Sequence, residues 1–443
     1  MSNFIQHISH LIFSQKRNRF LLTVTLAAFG IRLAMIVAAG NSHEPVTYEH
    51  GLIAHNLYTG HGFTMAWPYE SLDSARVVEM HQPPRYEGAF LPPINPYLMF
   101  GAFKLFGEAP SAFMFLMIFY SAVSAFIPLV AYRTGLLIGN EKSARLTALV
   151  ALLFLPSAFA VTTYSGSQLY QLLGLIILFL AIQTSQHPTY KYFLLLGISC
   201  GVMTLLRSEF FLIGFVLIVV VIFLTRKKLE LRTLMISGSV SIIICASIIA
   251  PWTYRNYTLF HQFIPVLSHP WYEIWRGNNE LANGTTLNSE GASIFINPRE
   301  YPTIIRKMDA IPYDQNFEPK VDNVFKAEVL DFVRDNPGRF LFLSVKKLAF
   351  FFTIDFNHPK SRNPFYSIPM IVVSALTVLG LYNLFRSPNP DTRSAAIIFA
   401  FFFVAYLGMT AFTVMLPRYQ IYVFTSMLGV TGLSWKSTQE VVV

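Results

Sequence analysis

The sequence predicts an all-α polytopic membrane protein, with about ten transmembrane helices and two large outer loops that carry interfacial helices. Three observations predict it. Of 443 residues, 53% are hydrophobic and only 13% charged, with a mean hydropathy of +0.47; a soluble domain carries about 25% charged residues. Apolar stretches recur at lengths near the roughly 20 residues that cross a hydrocarbon core as a helix. The cations behind the net charge of +9 sit mainly at segment ends. They form the clusters Lys16, Arg17 and Arg19; Lys142 and Arg145; Arg226, Lys227, Lys228 and Arg232; Arg386 and Arg393; and Lys436. Cytoplasmic loops show this spacing, so the basic balance is not read as a nucleic-acid surface.

The first apolar stretch, 20–40, follows a basic run and resembles a secretory signal peptide. A long polar lead precedes it and Arg32 interrupts it, so it reads as an uncleaved first span. Further stretches lie at 111–138, 146–164, 169–184, 190–206, 210–225, 233–253, 365–385, 394–415 and 419–435. Alternating sides from a cytoplasmic N-terminus puts both termini and every cation cluster in the cytoplasm. It leaves 41–110 and 254–364 outside, within a single unit of 1–443. Segment 338–356 is long enough to span, but Lys346 and Lys347 in its middle would each cost about 2.5–3.5 kcal/mol. It reads as an interfacial amphipathic helix, with Phe340, Leu343, Phe350 and Phe351 toward lipid and the lysines near headgroups. Segment 94–106 reads similarly. Cys200 and Cys245 both fall in apolar spans and read as small core residues rather than a disulfide framework or metal ligands.

The first outer loop holds the candidate chemistry. Pro45 and Thr47 mark a helix start and Gly60 a stop. Glu49 then lies in the first turn, where the helix dipole favours a carboxylate. Glu49, Ile53 and Asn56 share one stripe at helical spacing. A capping acid on a solvated helix would look the same, and Glu44 is the nearest rival carboxylate.

The loop reads Tyr48-Glu49-His50-Gly51, Ile53-Ala54-His55-Asn56-Leu57 and Gly60-His61-Gly62-Phe63, then Pro92-Pro93-Ile94-Asn95-Pro96-Tyr97 and Phe103-Lys104-Leu105-Phe106-Gly107. This resembles the first-loop signature of multi-span glycosyltransferases of the GT-C fold. Relatives of this pattern are the bacterial proteins grouped with the dolichyl-phosphate-mannose protein mannosyltransferases and the lipid A aminoarabinose transferases. Leu205-Leu206-Arg207-Ser208-Glu209 is similar to their short outer turn, and Pro251-Trp252-Thr253-Tyr254-Arg255-Asn256-Tyr257 with Trp275-Arg276-Gly277-Asn278-Asn279 to the start of their second loop. Pro417-Arg418-Tyr419 is similar to the pair that opens a late span. The sequence departs from the pattern at His50 and Asn95, where the family carries tyrosines.

The resemblance implies an inverting hexosyl or related transferase in the bacterial inner (plasma) membrane. It would move sugar from a polyprenyl-phosphate donor to a glycan, lipid or protein acceptor on the outer, periplasmic side. The first-loop carboxylate would be the base, Glu49 or, failing that, Glu44. Binding would fall to Arg255, Arg418, Arg207, Arg276, Asn56, Asn278 and His50. The residues suit the chemistry: a positioned carboxylate takes the acceptor proton, and guanidinium forks hold phosphate oxygens. Each arginine also reads as an ordinary headgroup contact.

No metal ligand set is assigned. His43, His50, His55, His61 and His81 share the loop with no compact zinc spacing, and a divalent cation on the donor phosphate is left open as a cofactor. Asp73, Glu79 and Glu87 read as solvated acids, and Trp67, Trp271 and Trp275 as interfacial anchors or sugar platforms. Membrane lipids are expected partners and nucleic acid is not. The competing functions are a lipid-linked-saccharide flippase or transporter and a polysaccharide polymerase or ligase.

Cysteines placed at Ser71, Ser289, Ser387 and Ser437 test the topology. Impermeant thiol reagents should reach the first two from one side and the last two from the other. Labelling of Ser387 together with Ser71 would reverse the sidedness of the last spans.

Overall fold

Inside a bilayer no water satisfies the backbone, so spanning segments must close their hydrogen bonds internally as helices. The computed structural model of the chain describes residues 15–40, 47–65, 86–285, 300–353, 355 and 358–435, and it is almost wholly helical. Six helices are long and apolar enough to cross a membrane: Arg17–Ala39, Pro110–Ile138, Ser167–Gln186, Leu231–Phe260, Pro364–Phe385 and Pro390–Phe412. The count becomes seven if the pair Glu141–Leu153 and Leu155–Thr162, bent by 49°, is one span. Tyr190–Leu206 and Phe210–Thr225 are shorter apolar helices. The final stretch is an α-helix, Pro417–Ser426, continued by the 3₁₀ segment Met427–Trp435. Every stretch expected to span is therefore helical, while length and composition single out six or seven of the ten.

Proline starts many of these helices, among them Pro110, Pro364, Pro390 and Pro417, because the first turn needs no N–H from it. Without water between them, helices associate through close packing of small residues. Gly197 and Gly201 lie one turn apart on the face of Tyr190–Leu206 that meets Leu231–Phe260; a Cβ on Gly197 would come within 2.3 Å of the Ser241 carbonyl oxygen. Arg32, the charge inside the first span, is buried and satisfied, donating through Nε to Ser124 Oγ at 2.7 Å and through Nη1 to the Ala28 carbonyl at 2.9 Å.

The cation-bearing turns gather at one end of the bundle. Arg17 and Arg145 share Glu141 at 3.1 and 2.8 Å, and Lys228 pairs with Asp391. The two large loops meet at the other end. Helix Tyr48–Tyr58 begins after Thr47 and stops just before Gly60 (φ +85°). Thr47 occupies the N-cap position without making a side-chain cap bond. A two-stranded antiparallel ribbon, Thr64–Met65 with Tyr86–Glu87, follows, and then helix Ile94–Phe106. The second loop supplies helices Pro270–Arg276, Pro302–Asp309, Phe317–Asp335 and Pro337–Phe352.

The last of these corrects an expectation. Its buried stripe is Leu343, Lys347 and Phe351, while Leu341, Phe342 and Val345 point outward. Lys347 does not lie among headgroups. Its Nζ donates to Asn278 Oδ1 at 2.7 Å and to the Ala411 carbonyl at 3.1 Å, and burial pushes the ammonium down to about 7. Asn278 in turn donates to the carbonyls of Ile274 and Phe412, at 2.7 and 2.8 Å. One side chain thus ties the second loop to the C-terminal end of Pro390–Phe412, six residues before Arg418. Asn278→Ala would strip Lys347 of one of its two acceptors and the Phe412 carbonyl of its side-chain donor, a cost of about 3 kcal/mol. The purified protein in detergent should melt distinctly lower; an unchanged melting temperature would show the tie to be dispensable.

Candidate active site

Four separate pieces of chain converge above the bundle. Helix Tyr48–Tyr58 brings Glu49 and His50 in its first turn. The turn after Tyr190–Leu206 brings Arg207 and Glu209. Pro270–Arg276 brings Tyr272, Glu273 and Arg276, and Pro417, starting the last α-helix, sets Arg418 and Tyr419 in its opening turn.

The cations are held against carboxylates and rings. Arg276 Nη1 lies 3.3 and 3.4 Å from the two Glu273 oxygens. Arg207 donates through Nε to Glu209 at 2.6 Å, and its guanidinium lies over the rings of Tyr170 (4.8 Å) and Tyr419 (4.7 Å). Arg418 shares the Tyr419 ring at 5.6 Å, so two guanidiniums use one aromatic ring. Burial alone would raise Glu273, but Arg276, Arg418 and His269 hold it below the usual carboxylate range. Desolvation, helped by Arg418 and Arg207, pushes His50 down to about 3 and keeps it neutral. Its Nδ1 is buried with no partner among the described residues.

Glu49 is half-buried and belongs to the same electrostatic neighbourhood. The Tyr272 phenol, raised chiefly by burial, also feels Arg276, Glu273 and Glu49. Beside this cluster lies a cavity of about 270 Å³. Met35, Phe159, Phe365 and Ile421 make apolar wall, and Ser167 and Arg418 are among its polar residues. Arg418 is exposed and belongs to both places: it lines the apolar cavity and faces the charged cluster.

Not every residue expected at the site is gathered there. Arg255 turns to the first loop, donating from Nη1 to the Gly88 carbonyl at 2.6 Å and lying over Trp252 at 4.9 Å. Asn278 is committed to the tie described above. Asn56 is buried beneath the helix and donates to the Thr64 carbonyl at 3.0 Å, while its Oδ1 has no partner among the described residues. Glu44 lies outside the described residues, as do His43, His81, Asp73, Glu79 and Trp67.

The remaining histidines diverge. His55 Nδ1 is 2.7 Å from Glu108, His61 meets the Thr59 hydroxyl, and His269 stacks on Phe90 at 3.8 Å. Among the described residues, no group of three or more His, Cys, Asp or Glu is placed to hold a metal ion. Asn95 replaces the expected tyrosine as a buried junction, accepting from Tyr120 OH at 2.6 Å and donating to the Tyr164 carbonyl at 3.0 Å. Sequence reasoning passed over Glu209 and Glu273. The signal available for Glu273 was an acid one helical turn before Arg276, set among the aromatics of Trp271-Tyr272-Glu273-Ile274-Trp275.

No protein-family model matches the chain, and no curated protein matches it. Solved structures do. The oligosaccharyltransferase AglB of Archaeoglobus fulgidus, in complex with an inhibitory peptide and a dolichol-phosphate, is similar at 14% identity with a TM-score of 0.53, over 94% of this chain and 50% of that one. The enzyme from the same organism tethered to an acceptor peptide gives 13% identity and a TM-score of 0.52, over 94% and 49%. ArnT from Cupriavidus metallidurans bound to undecaprenyl phosphate is a looser match, with 13% identity and a TM-score of 0.40 over 95% of this chain and 78% of that one. The chain spans about half the length of the archaeal enzyme it matches. The fold is the GT-C fold.

Proposed function

We propose that the chain is an inverting membrane glycosyltransferase. It moves a hexosyl or related sugar from a polyprenyl-phosphate donor to a glycan, lipid or protein acceptor. The reaction takes place on the non-cytoplasmic face of a bacterial inner membrane, with both termini in the cytoplasm. The observation that carries the reading is the double membership of Arg418, in the wall of an apolar cavity and in the charged cluster. A prenyl tail needs the first and its phosphate the second. Support comes also from the shared fold, on which AglB is solved with a dolichol-phosphate.

In this reading Glu49 accepts a proton from the acceptor hydroxyl or amine as that atom attacks the anomeric carbon. The bond from the anomeric carbon to phosphate oxygen breaks, and its electron pair leaves with the phosphate. Arg418, Arg207 and Arg276 stand where that charge grows, the arrangement that lowers such barriers most. Neutral His50 offers a buried ring nitrogen to substrate without adding a further cation. Arg255 acts at one remove, holding the first loop at Gly88. Mass spectrometry of lipid-linked sugars from cells with and without the gene tests the whole proposal: a missing surface sugar and an accumulating donor are expected.

Two substitutions test the roles. Glu49→Gln keeps the shape and removes the proton acceptor, so turnover should fall about 10²–10⁴-fold while insertion and donor binding persist. Glu44→Gln should be far milder. Near-full transfer by the first variant with loss in the second would move the base to Glu44. Arg418→Lys should bind donor less well than the parent but better than Arg418→Ala, since an ammonium lacks the guanidinium fork. Normal donor affinity in the alanine variant would remove Arg418 from the phosphate site.

A further inference from the structure

Away from the charged cluster, the two outer loops touch through one buried carboxyl group. Glu318, in the first turn of Phe317–Asp335, is 1% exposed. Its Oε2 accepts from the Ala89 amide at 2.6 Å and from the Ser268 hydroxyl. Ser268 returns the contact by donating its amide to the Ala89 carbonyl at 3.1 Å. On either side, Arg255 holds the Gly88 carbonyl and Phe90 stacks on His269. The carboxyl fits only because residue 88 is glycine: a Cβ there would lie 2.0 Å from Glu318 Oε1. One turn on, Asp322 accepts from the amides of Trp271 and Tyr272, at 2.9 and 3.3 Å. Glu318 and Asp322 therefore hold the entry of the helix that carries Glu273 and Arg276.

The second oxygen, Oε1, is buried with no hydrogen-bond partner among the described residues. A charged oxygen without a donor is expensive to bury, whereas a neutral carboxyl costs far less. We infer that Glu318 is a positioning residue that works as a proton-operated clamp. Its neutral form stays buried between Ala89 of the first loop and Ser268 of the second; its ionisation leaves Oε1 a charged oxygen without a donor, and the junction opens to water to solvate it. This rests on the proposed transferase reading only for its effect on activity.

The electrostatics agree. Burial raises Glu318 to about 7, outweighing the bonds from Ser268 and Ala89 and the pull of Arg255, while Asp322 adds to the rise. Of the other groups facing this junction, Glu87 and Tyr97 act on Arg255. His269, at about 4, is neutral over the relevant range. Tyr86 packs its ring on the neighbouring Phe317. The folded value lies above the ordinary 4.5, so the stabilisation is full below about 4.5 and lost as pH rises through about 7.

Hydrogen–deuterium exchange on the full-length protein in detergent tests the clamp without any substrate. Glu318→Gln mimics the neutral carboxyl and serves as reference for the intrinsic pH dependence of exchange. Between pH 6 and 8 the parent should lose about tenfold in protection at Ala89 and Ser268 relative to that variant, the change in neutral fraction for such a group. Glu318→Ala should be unprotected at both pH values, and Ser268→Ala, which leaves the Ala89 bond, should be intermediate. Transferase activity should fall over the same window in the parent and stay level in Glu318→Gln. Identical exchange profiles for parent and Glu318→Gln would overturn the clamp. A pH-dependent clamp in a protein that transfers no sugar would instead overturn the transferase reading.

Discussion

Charge balance governs the end of this molecule where the two large loops meet. Three guanidiniums, Arg207, Arg276 and Arg418, face two paired carboxylates, Glu209 and Glu273. Glu49 stands as a third carboxylate in the same neighbourhood, and aromatic rings hold the cations as well, Tyr419 serving two arginines. The Asn278 tie and the Asp322 bonds fix the helix that carries Glu273 and Arg276 on both sides.

That arrangement explains why the loops are built of short helices locked by side chains. A flexible loop would let Arg276 and Arg418 drift apart under their mutual repulsion. Instead Asn278 fixes the segment after Arg276 to the carbonyl that closes Pro390–Phe412, and Asp322 caps the segment before Glu273. The cluster is pre-organised by bonds made outside it, which is how charged sites avoid reorganising when charge develops.

The apolar helices were legible because bilayer physics writes them in composition, though length and composition mark six or seven of the ten stretches as spans. Glu49 was legible as an acid in the first turn of a helix with clear start and stop signals. Residues whose role depends on distant chain were not. Glu318 meets Ala89 and Ser268, 229 and 50 positions away, and nothing in the local sequence of Phe317–Asp335 announces either partner. Lys347 was misplaced for the same reason: a lysine in an apolar helix reads as a headgroup contact until Asn278 is seen beside it. Arg255 and Asn278 sit inside motif-like stretches, yet both donate to backbone carbonyls of distant chain, a distinction that spacing alone does not carry.

The helix Leu231–Phe260 has 30 residues and so stands about 45 Å tall, against a hydrocarbon slab of about 30 Å. Its last turns cannot all be immersed. They rise as a post, with Trp252, Arg255 and Asn256 along its upper part, and the Gly88 and Val266 carbonyls hang from them. The post sets a height for everything attached to it. The ribbon and the second loop are both held to its upper part.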